Sequence, residues 1–310
     1  CRLSTAEFRM ISFYKAQLTL KGNSMKRFTS FLIILIIFFN ISADILTPDR
    51  ITVWNPGVPG RITVPSENVV NIIDFGADPA GKTDCKDAIT RAIDALPSGG
   101  GVVYFPVGIY YFCATITIDK DNIVIRGDGH DKTKLLHDNS GLCFDVVTYK
   151  RGQWQNLLSG YTKGSRTVTV EDGSKFTVGA FAEIQQSNDS SLMYTDPNWI
   201  QSWAENAVGQ LFEVVGVAGN SVTFRTPLHF NVRSDLNPQI RPQGFVRGVG
   251  FENFYIERLQ SGNSTFQFKN AAYCWVRNIE SYHTHKSHIT NNTIIGCEFR
   301  DSYFHRSFSY

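Results

Sequence analysis

Phe251-Glu252-Asn253-Phe254, Val276-Arg277-Asn278-Ile279 and Phe299-Arg300-Asp301-Ser302 share one pattern: an apolar residue, a charge, Asn or Asp, then an apolar or small residue. The three stretches follow one another at 25 and then 23 residues. Cys274-Trp275-Val276-Arg277 and Cys297-Glu298-Phe299-Arg300 keep the same phase. A repeat of this length is one coil of a solenoid, which cannot bury its apolar side alone and must stack on its neighbours. Stacking sets equivalent residues about 4.8 Å apart. Asn253, Asn278 and Asp301 are therefore expected to form a ladder of amides and carboxylates at one turn.

Upstream, Val69 to Asp74 reads as a short strand stopped by Gly76. Ala88, Ile89, Ala92, Ile93 and Leu96 then recur at helical spacing, with Thr83 or Asp84 as cap and Pro97-Ser98-Gly99-Gly100-Gly101 as the stop. Such a helix has one apolar face and is expected to close the first coil, whose end would otherwise invite strand addition. Short strands follow over 102–105, 109–112, 115–118, 123–126, 134–136 and 143–147, too closely spaced for helical crossovers. Between about Gly160 and Phe230 two-residue alternation with Gly turns predicts an inserted antiparallel β unit.

The N-terminal stretch differs in kind. After Met25, Lys26 and Arg27 comes the apolar run 31–39 and then Ile41-Ser42-Ala43, the order of a secretory signal peptide cut near Ala43. An uncleaved anchor is the alternative, since 28–46 is mostly apolar. The expected layout is a non-native leader at 1–24, a signal peptide at 25–43, an extended lead-in at 44–68, and a cap with first coils at 69–159. An inserted β subdomain at 160–243 and further coils at 244–310 complete it. The chain reads as C-terminally truncated, with no visible terminal cap. The formal net charge is +2 from 30 basic and 28 acidic residues. Removing 1–43, with six basic residues and one acidic, leaves 24 against 27, a net of −3. That balance offers no counterion-release surface and excludes a nucleic-acid partner on electrostatic grounds. Five cysteines remain, too few and too sparse for a disulfide scaffold, and Cys274 and Cys297 are expected as stacked interior residues.

The run from Val70-Asn71-Ile72-Ile73-Asp74-Phe75-Gly76-Ala77-Asp78 to Gly99-Gly100-Gly101-Val102-Val103-Tyr104-Phe105-Pro106-Val107-Gly108-Ile109-Tyr110, with Ile123-Val124-Ile125-Arg126-Gly127-Asp128-Gly129, resembles the N-terminal signature of the pectate-lyase-like superfamily. That group includes rhamnogalacturonase- and polygalacturonase-related proteins and phage tailspikes. The resemblance implies an all-β, right-handed single-stranded parallel β-helix with an N-terminal capping helix, a small antiparallel β insertion and a carbohydrate groove along one sheet. It does not fix the reaction. The Asn-Thr-Asp, Asp-Asp, Gly-His-Gly and Arg-Ile-Lys motifs of polygalacturonases are absent, and Gly127-Asp128-Gly129-His130 is a superficial match.

Chemistry is expected where polar residues cluster on successive coils. Glu280, His283, His288, Arg300 and Asp301 are the candidate catalytic residues. His283 or His288 would take a proton α to a uronate carboxylate, with Arg300 or Lys286 offsetting its charge. A glycosidase would instead draw a carboxylate pair from Glu257, Glu280 and Asp301. Candidate substrate contacts are Glu257, His285, Lys286 and His305, with Tyr194, Trp199 and Trp203 of the insertion as stacking faces. No metal site is read, because no carboxylate sits at ligand spacing from the three histidines. No cofactor is assigned, and calcium is the ion left open. The expected protein is secreted and carbohydrate-active, a polysaccharide lyase or glycoside hydrolase on an acidic, pectin-like polymer. The alternative is a non-catalytic glycan-binding adhesin or tailspike-like surface protein.

Overall fold

A computed structural model describes residues 51, 56–193 and 202–308. The leader, the signal-peptide stretch and residues 44–50 and 52–55 of the lead-in lie outside the described residues, as do Tyr194 and Trp199.

The repeat is a coil. Val276 pairs in parallel with Phe251 on one side and Phe299 on the other. The same register continues backwards from Phe251 to Ile125 and Val103. Three sheets run along the stack. The first holds Val69–Asn71, Gly101–Phe105, Ile123–Gly127, the start of Gly250–Arg258, the start of Trp275–Thr284, and Glu298–Arg300. The second holds Ala80–Asp84, Gly108–Phe112, Thr133–His137, the later halves of the same two long strands, and Tyr303–Ser307. The third holds Ile116–Ile118, Phe144–Val147, Phe266–Ala272 and Ile289–Ile295, with Val246–Arg247 beside Ala271 and Ala272. These stacked parallel coils form the expected right-handed β-helix.

The corner between first and second sheets is the sequence's Asn/Asp position. Asn253, Asn278 and Asp301 all have left-handed backbones, at φ 64, 51 and 52°. Asn and Asp tolerate that conformation better than other side-chain-bearing residues. Asn278 Nδ2 donates to Asn253 Oδ1 at 2.8 Å, and Asn278 N donates to Asp301 O at 3.0 Å. One coil earlier the equivalent place falls to Gly127, where a Cβ would stand 2.4 Å from Asn253 O.

Inside the coils, Phe112, Phe144, Phe251, Phe254, Phe266 and Phe268 are fully enclosed, and each such side chain contributes roughly 1.5–3 kcal/mol by leaving water. The helix Lys86–Ala95 turns Ala88, Ile89, Ala92 and Ile93 onto this core and closes the first coil as expected. Its cap position is Cys85, and Asp84 serves from one residue further out, accepting from Lys86 N at 2.9 Å. Arg258 is buried within the stack. Its guanidinium donates to Asn139 O and Gly141 O at 2.8 Å and to Ser264 O at 3.2 Å, fastening the turns of two coils.

The insertion is a closed six-stranded antiparallel barrel beginning at Gln155–Ser159, ahead of the expected boundary at 160. It carries its own core of Val170, Ile184, Phe212, Val214, Phe224 and Ile240. Its first and last strands pair with each other, and Gly244 N donates to Lys150 O at 2.8 Å. The chain thus leaves and re-enters the helix at one place. Glu213 of the barrel holds it there, paired with Arg247 at 3.4 Å and accepting from Tyr273 Oη at 2.6 Å.

Residues 56–65 lie as a strap over the outer face of the first sheet. Val58 N donates to Glu298 Oε1 at 2.8 Å. Ile62 packs on Val102, Val124 and Trp275, which explains why outward-facing positions of the first sheet are apolar.

Asn278→Ala removes the ladder bond and leaves a Cβ-bearing residue with no local compensation in the left-handed region, at a cost of about 1–3 kcal/mol. Asn278→Gly keeps the backbone free and should cost less, so urea melts are expected to rank wild type, Gly, then Ala. Equal losses would mean the corner does not depend on residue conformation. Two enclosed histidines give a second expectation. Burial, reinforced by Arg258, holds His137 down to about 4, and burial holds His288 down to about 4. The unfolded chain protonates each near 6.5. Their stabilising effect is therefore complete above about pH 6.5 and lost as pH falls towards 4, with the unfolding equilibrium rising up to about tenfold per pH unit per histidine. His137→Phe should flatten that acid limb in denaturant titrations, and an unchanged slope would show that His137 does not contribute.

Candidate functional site

The second sheet's outer face follows from the corner. Two and four residues past each Asn or Asp, side chains point out, because Phe254, Ile256, Ile279, Ser281 and Phe304 point in. Register therefore stacks Ile109, Lys134, Tyr255, Glu280 and Tyr303 in one ladder. Tyr111, Leu136, Glu257, Tyr282 and His305 form the next.

Glu280 is the centre of this surface. His305 Nε2 lies 3.1 Å from its Oε1, and His130 Nδ1 lies 3.4 Å from its Oε2. Glu257, on the preceding coil, accepts from Tyr255 Oη at 2.8 Å and has His283 Nδ1 at 3.7 Å. Burial and the Glu257 carboxylate push the Tyr255 phenol well up, so it stays a donor. Both carboxylates keep about a quarter of their side-chain surface exposed. They sit on neighbouring strands, two residues out of register, which places their Cα atoms roughly 8 Å apart by sheet geometry. Aromatic rings floor the rest. Tyr255 stacks with Tyr282 at 6.4 Å, and Tyr303 with His305 at 4.0 Å. Lys134 lies 5.7 Å from the Tyr255 ring centroid and brings a permanent cation. Together these groups offer two carboxylates, three imidazoles, an ammonium and stacking faces on one open surface.

The structure brings four of the sequence candidates together here: Glu257, Glu280, His283 and His305. Others go elsewhere. His288 turns into the coil, bonding Ser281 Oγ at 2.8 Å and packing on Phe304. Arg300 stands on the first sheet, held by Glu298 at 3.2 Å and Asp301 at 2.6 Å, and Asp301 is the corner residue. His285 bonds Ser261 Oγ at 2.7 Å in the turn beyond the second sheet, where Lys286 is exposed. Trp203 is 83 % exposed on a short turn of the inserted barrel. Cys274 is a buried interior thiol and Cys297 a half-buried one, and neither is bridged.

Sequence reasoning missed Tyr255, Tyr282, Tyr303, Lys134 and His130. The first three were available as fixed offsets from the repeating Asn/Asp. His130 was set aside with the imperfect Gly-Asp-Gly-His match, and only folding shows its loop reaching over two coils. Among the described residues, no three His, Cys, Asp or Glu side chains converge as metal ligands.

Residues 69–189 match the family described as Rhamnogalacturonase A/epimerase, pectate lyase-like. A protein of Aspergillus niger named "Probable rhamnogalacturonase C" is 33% identical over 130 residues, which are 37% of this chain and 27% of the relative. Alginate lyase 7 of Azotobacter vinelandii is 44% identical over 72 residues, 21% of this chain and 8% of that protein. The chain thus spans about a quarter, or less, of the length of the curated relatives it matches. The tailspike of Pseudomonas phage phi297 superposes with a TM-score of 0.51 at 14% identity, over 76% of this chain and 50% of the tailspike. At that identity the likeness is one of fold. The matched signature occupies the cap, the first coils and the first strands of the barrel, and the remaining coils stack on them in register, so over 69–189 the chain is similar to the pectate-lyase-like proteins and its fold is a parallel β-helix.

Proposed function

We propose that the second-sheet groove cleaves glycosidic bonds of an acidic, pectin-like polysaccharide in a protein exported by its 25–43 segment. The observation that carries this reading is the pair Glu257 and Glu280, exposed side by side on adjacent coils, each with its own hydrogen-bonding partners. Two carboxylates about 6.5–9.5 Å apart leave room for a sugar bond and a water between them. The Cα atoms of the pair stand roughly 8 Å apart by sheet geometry, and their side chains leave the same face of the sheet, which supports such a spacing of the carboxyl groups. In this reading Glu280, flanked by two imidazoles, is the carboxylate that activates the water. Glu257 is the carboxyl group left to deliver the proton to the leaving oxygen. Lys134, His130 and His283 favour a uronate carboxylate, and Tyr255, Tyr282 and Tyr303 offer ring faces to sugars. Similarity to a rhamnogalacturonase and an alginate lyase supports a polysaccharide as substrate.

Arg300 stands on another face, so a lyase form would draw the cation at its developing enolate from Lys134. Binding without turnover is the second reading, favoured by the unbroken series of rings from Tyr255 through Tyr282 and His305 to Tyr303.

Full-length protein incubated with uronic-acid polymers should release reducing ends without the ultraviolet absorbance of unsaturated uronates. Glu257→Gln and Glu280→Gln should each lower kcat by roughly 10²–10⁴-fold while polymer binding persists. Unsaturated ends would move the chemistry to a lyase. Wild-type rates in both variants would remove the carboxylate pair from the mechanism, and tight binding with no new ends would favour the binding reading.

A further inference from the structure

A second concavity lies between the inserted barrel and the third sheet, with a volume of about 660 Å³. Beside it, barrel and coils are joined through Glu213, Tyr273 and Arg247. On neighbouring barrel strands Phe181 pairs with Glu213, Glu183 with Leu211, and Gln185 with Gly209. The first pair is fixed to the coils through Tyr273 and Arg247. Beyond it the barrel wall diverges, and Glu183, Leu211, Gln185 and Gly209 face the strand end Thr293-Ile294-Ile295 and the strap residues Pro56-Gly57 across open space. Gly57, Gly209 and Gly296 leave parts of the wall as bare backbone.

The lining differs in charge from the groove. It contains no Lys or Arg, and its one carboxylate, Glu183, is neutralised by Arg241. The remaining polar groups are uncharged amides and hydroxyls with a histidine. Among the described residues, the side chains of Asn206 and Thr226 make no hydrogen bond within the protein, and His229 Nε2 is enclosed without a partner. Gln185 donates to Gln239, which leaves its carbonyl free. Leu211 and Ile295 supply apolar surface between these groups. Dispersed neutral donors and acceptors set among aliphatic carbons suit a polyhydroxylated, uncharged ring. An anionic sugar would lose its hydration here without gaining a counter-charge.

We propose that this cleft is a second saccharide site, selective for a neutral oligosaccharide such as an uncharged side branch of the polymer. It does not depend on the groove being catalytic. Isothermal titration calorimetry of the full-length protein with neutral rhamno-, galacto-, arabino- and gluco-oligosaccharides tests it, with oligogalacturonate as the charged comparison. At least one neutral series should bind. Asn206→Trp, which fills the rim of the cleft, should weaken that binding by at least about tenfold, and Thr226→Ala by about three- to tenfold. Glu280→Gln in the groove should leave it unchanged, so failure of the groove reading and failure of this one are told apart. Thermal melts matching wild type show that both cleft variants are folded. The proposal is overturned if no neutral oligosaccharide binds the wild type, if binding survives both cleft substitutions, or if it disappears with Glu280→Gln.

Discussion

In-register parallel stacking is the constraint on which everything else in this molecule depends. Each coil has unpaired backbone groups on both edges and an apolar interior too thin to exclude water alone. Both needs are met only by a neighbour lying directly over it. Val103, Ile125, Phe251, Val276 and Phe299 therefore form one continuous interior ladder, although the step from Ile125 to Phe251 spans the whole inserted barrel. The barrel does not disturb the ladder because it closes on itself and returns the chain beside its exit, where Arg151 bridges Gln243. The register across the insertion is thus set by the coils and not by the length of chain between them.

Stacking also decides which side chains meet. A left-handed residue at each corner ends one sheet and starts the next in a fixed phase, so the positions two and four beyond it always face outward. A second left-handed pair, His283 at φ 50° and Arg306 at φ 67°, occupies equivalent places on the last two coils. Those extra residues bulge the strand and re-aim its end. They bring His283 back towards Glu257, and the following Thr284 takes up an inward position. The spacing of charged groups on the groove is a consequence of these two backbone devices.

The coil repeat, the capping helix, the corner ladder and the existence of the insertion were legible in the sequence because each is a local or periodic signal. Asn253, Asn278 and Asp301 recur at coil length, and Ala88, Ile89, Ala92 and Ile93 recur at helical spacing. The site was half legible. Glu257, Glu280 and His305 lie at regular offsets from the corner, yet proximity in sequence also drew in His288 and Arg300. A single corner separates Arg300 from Tyr303, and it sends them to different sheets. His288 passes inside because it follows a second turn, where two-residue phase no longer carries over. His130 was not legible at all, since the reach of its loop over later coils exists only after stacking.

Coverage, more than residue type, separates the groove face from the face of the first sheet. Glu252 on the first sheet has Arg126 and Arg277 on its two sides, at 2.8 and 2.7 Å, and is 1% exposed. Its charge is fully committed, and removing either arginine would leave a carboxylate poorly compensated in a dry place. Nearby, the strap covers the same sheet by packing Ile62 on Val102, Val124 and Trp275. Glu280 lies one corner later, where among the described residues no strap crosses, and its partners are the imidazoles of His130 and His305. The fold presents the same kind of ladder twice and closes one of them. The remaining face combines solvent access with carboxylates at a spacing set by the sheet.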